Sequence, residues 1–175
     1  NFDHFVEEMG LEDAKTTHWD SPFDYKSQAL LYIPDDIPQP GVQDFPDKVA
    51  AKIWPFIKEN QGRAFVLCTT LRAMETIGKH LRYYAERDDL PLKILVQKEA
   101  PKQELLRQFK ESGSAVLVGS MSFWEGVDIK GDALSLVIID KIPFPPPGDP
   151  VFDGKCDFVT AKGEDPFKKI SIPQA

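Results

Sequence analysis

The densest run of chemically capable residues in the chain is Gly119-Ser120-Met121-Ser122-Phe123-Trp124-Glu125-Gly126-Val127-Asp128-Ile129-Lys130-Gly131. It sets hydroxyls, two aromatics, two carboxylates and three glycines between two apolar stretches. Glycines let a ligand approach the backbone, and a carboxylate just beyond them can accept from a ribose hydroxyl. An ordinary turn with solvated Glu125 and Asp128 has the same composition, so these residues by themselves leave both readings open. A second polar step, Thr69-Thr70, opens a helical pattern after an apolar run. Hydroxyls and unpaired N–H groups there can hold a phosphate, or one threonine can simply cap the helix.

Other chemistries find no support. A phosphate-cradling P-loop needs Gly, four residues, then Gly-Lys-Ser/Thr. The nearest approach is Gly78-Lys79, with Ala73 where the first glycine belongs and His80 where the hydroxyl belongs, all inside a helical pattern. His4, His18 and His80 are scattered, without metal-ligand spacing or a nearby nucleophile arrangement. Cys68 and Cys156 are too few for a disulfide framework, a four-thiolate zinc site or a self-contained iron–sulfur cluster. Cys68 lies in an apolar run and is expected to be a small core residue.

The elements that must position these residues follow from periodicity. Phe2, Phe5, Val6 and Met9 share one face of a short amphipathic helix that ends at Gly10. Residues 20–46 are rich in Asp and Pro around one strand-like piece, Gln28 to Ile33, and read as a connector. Asp44 is placed to cap a helix with Pro46 in its first turn, carrying Val49, Ile53, Phe56 and Ile57 and kinked at Pro55. Apolar runs Ala64 to Cys68, Leu92 to Val96, Ala115 to Gly119 and Leu134 to Ile139 then alternate with helical patterns over Leu71 to Tyr84 and, from Pro101, over Leu105, Leu106 and Phe109 to Gly113. Unbroken apolar strands separated by helices demand a parallel sheet covered on both faces, so the fold class is α/β. Ligands bind such sheets outside the carboxyl ends of the strands, where the loops begin at the polar residues Thr69, Gln97, Ser120 and Lys141.

Charge sharpens the division. The formal net charge of -7 excludes a uniformly basic nucleic-acid coat. Residues 1–47 nevertheless hold 11 acidic and 2 basic side chains, while the remainder holds 17 acidic and 19 basic and is mildly basic. No apolar run approaches the roughly 20 residues that span a bilayer, and no signal segment opens the chain, so a cytoplasmic setting is expected.

Ser122-Phe123-Trp124-Glu125-Gly126-Val127-Asp128, then Gly131-Asp132, then Val137-Ile138-Ile139-Asp140-Lys141-Ile142-Pro143-Phe144, resembles helicase motif V and the following strand in the DinG/XPD family. Ser21-Pro22-Phe23-Asp24-Tyr25 with Gln28-Ala29-Leu30-Leu31-Tyr32 resembles the entry to that family's second motor domain, and Phe65-Val66-Leu67-Cys68-Thr69-Thr70 resembles motif IV. Asp165-Pro166-Phe167 and Ile172-Pro173-Gln174-Ala175 resemble the approach to motif VI, which itself is not reached. The YoaA-type pattern fits most of these residues, whereas Pro145-Pro146-Pro147 is nearer to DinG proper.

The resemblance implies a RecA-like, P-loop-NTPase-type second motor domain of a bacterial, cytoplasmic, ATP-dependent 5′–3′ DNA helicase of superfamily two. Residues 1–43 are then an N-terminal helix and acidic Pro-rich connector, and 44–175 the motor domain, truncated before motif VI. It implies a nucleotide-facing set of Glu125, Gly126 and Asp128. It implies a DNA-facing set of Thr69, Thr70, Ser120, Ser122, Phe123, Trp124 and Lys141, the hydroxyls holding phosphates without reading sequence. Phe123 or Trp124 either stacks on a base or anchors the loop in the core. Pro143 to Pro150 is either a rigid edge beside the DNA path, with Lys141 and Phe144, or a stiff linker. ATP and Mg2+ would be held mainly by a first motor domain, the partner of this one, and any iron–sulfur cluster would lie elsewhere in the full-length protein. With neither P-loop nor motif VI, this segment alone is expected to be inactive as an ATP hydrolase. Two other readings stay open on the residues alone: a Rossmann-like half of a nucleotide-binding transferase, and a non-catalytic interaction module built on the acidic amino-terminal segment.

Overall fold

The computed structural model describes residues 2–11, 13–145 and 148–174. Pro146, Pro147 and Ala175, named above in the motif comparisons, lie outside the described residues. The described chain forms two compact units, one spanning Asp35–Pro143 and the other joining the stretch up to Pro34 with the stretch from Phe144.

The Asp35–Pro143 unit is built on four short strands, β1 (Ala64–Leu67), β2 (Ile94–Val96), β3 (Val116–Gly119) and β4 (Leu136–Ile139). All pair in parallel, in the order β2-β3-β1-β4. This is the expected α/β, RecA-like arrangement, and it follows from side-chain alternation on a doubly covered sheet. Ala64, Val66, Cys68, Val116 and Val118 face helices α3 (Phe45–Glu59) and α4 (Leu71–Arg87), meeting Trp54, Ile57, Met74, Ile77 and Leu81. Phe65, Leu67, Leu95 and Leu117 face the other way, onto Leu105 and Phe109 of α5 (Lys102–Ser112) and onto Phe123. Cys68 is fully buried, and desolvation pushes its thiol well above the usual range, so it packs as a small apolar residue.

Local details depart from expectation at β4 and at the cap of α3. Strand β4 is covered on one face only: Val137 and Ile139 are 53% and 51% exposed, because β4 is the sheet's edge and α5 reaches the strands on its far side. Helix α3 runs continuously through Pro55. Its N-cap Asp44 makes no side-chain cap hydrogen bond, the carboxylate lying instead 4.0 Å from Lys48. Ahead of Asp44, Ile37 packs on the core and Asp36 pairs with Lys52 at 2.7 Å. Gly78, the residue nearest to a P-loop glycine, lies inside α4 against β2, where an added Cβ would meet Val96 at 2.7 Å.

The second unit holds α1 (Asp3–Met9), ended by Gly10, α2 (Tyr25–Gln28), α6 (Pro150–Ala161) and a π-helical turn Phe167–Ser171. Glu8 pairs with Lys155 and Glu7 with Lys169, so the first helix is tied to the last segment. The run Gln28 to Ile33 is not a strand: α2 takes its first residue and the rest has no regular structure, with Leu30 93% exposed. An apolar run supplies strand propensity but no pairing partner.

Candidate functional site

The carboxyl ends of the strands form a polar rim in the order Gln97, Ser120, Thr69, Asp140, because register aligns Leu67 with both Gly119 and Ile139. Two side-chain oxygens fasten it. Gln97 Oε1 accepts both the Ser120 N–H, at 2.6 Å, and the Ser120 hydroxyl, at 2.9 Å. Asp140 Oδ1 accepts the Thr69 N–H at 3.0 Å and the Lys141 N–H at 2.8 Å, while Oδ2 lies a long 3.5 Å from the Thr69 hydroxyl. Burial raises the Asp140 pKa, and these N–H donors with the Lys141 charge work against the rise.

The hydroxyls therefore divide. Thr69 and Ser120 spend their donors within the rim, and Ser120 is only 8% exposed. Thr70 caps α4 by accepting from Ala73 N at 3.2 Å, which leaves its own proton open. Ser122 is exposed, and its hydroxyl makes no hydrogen bond among the described residues. The Lys141 ammonium is in no ion pair within 4 Å there.

After β3 the chain makes a 3-10 turn, Met121–Phe123, closed by Phe123 N–H to Ser120 O at 2.8 Å. Phe123 is 2% exposed, turned into the core beneath Gly119, where an added Cβ would lie 2.8 Å from its ring. Of the two aromatics it is the anchor. Trp124 is half-buried against the same cluster, with its Nε1 donor buried and unbonded among the described residues. Glu125, Gly126 and Asp128 follow, all exposed, with Gly126 in the left-handed region at φ +67°. No hydrogen bond joins Glu125 or Asp128 to the threonine end of the rim among the described residues. Concavities of about 600 and 390 Å³ lie along α4 and β2, near Glu86 and Leu90 and near Lys79 and Glu99, and no expected site residue lines either.

A family profile described as a helicase C-terminal domain matches residues 53–175, which include the whole rim and the Ser120–Gly131 loop. The chain belongs to this helicase family. It is 41% identical over 172 residues to the ATP-dependent DNA helicase YoaA of Escherichia coli K12, covering 98% of this chain and 26% of that protein. A YoaA of Haemophilus influenzae is also 41% identical, over 174 residues, with 99% and 26% covered. The 3′-5′ exonuclease DinG of Bacillus subtilis 168 is 31% identical over 180 residues, covering all of this chain and 19% of that protein. The chain thus spans about a quarter of the length of its YoaA relatives.

In this DinG-like helicase segment the residues fit some expected cofactors and not others. The exposed Glu125 and Asp128 flank a glycine whose missing side chain leaves the backbone open, the nearest atom to an added Cβ being Lys102 Nζ at 4.0 Å. That suits a ribose hydroxyl but offers no phosphate cradle. No group of three His, Cys, Asp or Glu gathers as metal ligands among the described residues, and one cysteine is buried in the core, so an iron–sulfur cluster does not fit here. No helix among the described residues is long and apolar enough to cross a membrane. The sequence marks Gln97 as the start of a ligand-facing loop but shows no fastening role for it, nor for Asp140 or Lys102. For the first two a signal existed: each is a polar residue at the end of an apolar strand.

Proposed function

We propose that this helicase C-terminal domain serves as the second motor domain of an ATP-dependent 5′–3′ DNA helicase, with residues 44–175 as its motor segment and 1–43 leading into it. The observation that carries the reading is the polar rim: open donors on Thr70, Ser122 and Lys141 border a loop anchored by Phe123, at the strand ends where α/β sheets take ligands. These donors suit the phosphates of single-stranded DNA, with Thr69 and Ser120 shaping the ledge and Trp124 beside it as the stacking face. Glu125, Gly126 and Asp128 face nucleotide held mainly, with Mg2+, by a first motor domain. ATP hydrolysis then needs both domains, and the protein works in the bacterial cytoplasm. Membership of the helicase family leaves the transferase reading without support.

Single-strand binding measured at several salt concentrations tests this. Binding should weaken with salt, and T70A with S122A should weaken it further at every salt concentration. Unchanged affinity in the double variant would remove the rim from the DNA path. ATP hydrolysis by this chain alone would overturn the two-domain requirement.

A further inference from the structure

The loop after β3 carries most of the expected ligand-facing groups, yet its own backbone holds little of it. Trp124 N–H reaches Met121 O at 3.2 Å, and among the described residues the next backbone pairing outside the Gly131–Ala133 turn is Ser135 N–H to Arg63 O. Two loop carbonyls converge on one cation. Lys102 Nζ donates to Ser122 O at 2.5 Å and to Glu125 O at 3.1 Å, and stands 5.3 Å from the Phe123 ring centroid. Lys102 is the first residue of α5, where the helix dipole disfavours a cation. Among the described residues no carboxylate pairs with it, and nearby Glu104 is taken by Arg107. A lysine at an unfavourable helix position, with its charge spent on carbonyls and a ring, is placed for the loop rather than for the helix.

We infer that Lys102 is a positioning residue for the Ser120–Gly126 loop: its ammonium substitutes for the missing backbone donors and holds Ser122, Trp124 and Glu125 in their presenting shape. The inference rests on the proposed DNA and nucleotide role of that loop. It also states what Lys102 does not do, since a half-buried lysine beside a DNA ledge would ordinarily be counted as a phosphate contact.

Hydrogen exchange and single-strand binding of K102M and K102R in the intact protein test it. In K102M, exchange at the Phe123 and Trp124 amides, whose N–H groups are bonded to Ser120 O and Met121 O, should rise roughly tenfold, as for loss of one charge-assisted hydrogen bond, while β1 and β3 keep their protection. K102R, still able to donate to two carbonyls, should retain most of the protection. Single-strand affinity should fall in K102M with the salt slope unchanged. Unaltered exchange in K102M would overturn the clamp. A salt slope smaller by about one would overturn it too, because Lys102 would then neutralise a phosphate itself. If the native protein binds no single-stranded DNA, the proposed function fails, and the exchange difference still decides whether Lys102 holds the loop.

Discussion

The two central strands of the sheet end in the same device made from different chemistry. At β3, Gln97 reaches from the neighbouring β2 and one amide oxygen takes two donors from Ser120. At β1, Asp140 reaches from the neighbouring β4 and one carboxylate oxygen takes the N–H groups of Thr69 and Lys141. The β3 end is further fixed by a buried aromatic and by Lys102, whereas the β1 end is fixed by Asp140 and the Thr70 cap. One half is thus neutral and anchored from below. The other is titratable and anchored from the side, which makes it the half that solution conditions can reach.

The largest expected effect breaks the β3 half alone. F123A removes a ring that is 2% exposed and should cost about 3–5 kcal/mol, read as a lower denaturant midpoint. If the two ends are separate devices, the Thr69 amide keeps its slow hydrogen exchange in F123A while the Ser120 amide loses it. Equal loss at both would mean that the rim is a single cooperative unit and the comparison fails.

Next in size are the two fasteners themselves. Q97A strands two donors on a residue that is only 8% exposed, and should cost about 1–3 kcal/mol. D140A strands the Thr69 and Lys141 N–H groups at a half-buried edge, where water reaches in, and should cost about 1 kcal/mol. Thermal or chemical unfolding of both variants ranks them, and a larger loss in D140A would reverse the assignment of the better-buried half.

How much of this was legible in the sequence follows the same division. Strands β1, β2 and β3 announce themselves as unbroken apolar runs because both their faces are buried. The Leu134 to Ile139 run looks the same in sequence, yet Val137 and Ile139 are half exposed, since position in the sheet and not composition decides coverage. The Gln28 to Ile33 run shows the limit: strand-like residues without a partner strand remain irregular. The loop from Gly119 was legible from its residue types, but its fasteners were not. Gln97 and Ser120 are 23 residues apart and Thr69 and Asp140 are 71 apart, so their pairing exists only once the order β2-β3-β1-β4 is known. Lys102 is hidden for the same reason, as a helix-start lysine whose partners are two backbone carbonyls.

The smallest effect separates the halves by pH. Burial raises the Asp140 pKa above its ordinary value of 3.8, so between that value and the raised one the folded state holds a proton that the unfolded state has released. Stability contributed by this group is therefore greatest below the ordinary value and declines as pH rises through the window, levelling off once the folded carboxyl is ionised. In D140N the side-chain oxygen can still accept both N–H groups, and the titration is gone. The stability of D140N relative to the native protein should accordingly improve as pH is raised from below 3.8 through the window. The Q97A penalty should stay constant over the same range, because an amide does not titrate. The effect is small because the Thr69 and Lys141 donors and the Lys141 charge oppose the desolvation that causes it. Unfolding free energies of the three proteins across acidic pH measure it, and a D140N difference that stays flat, or falls as pH rises, would remove the titratable character assigned to the β1 half.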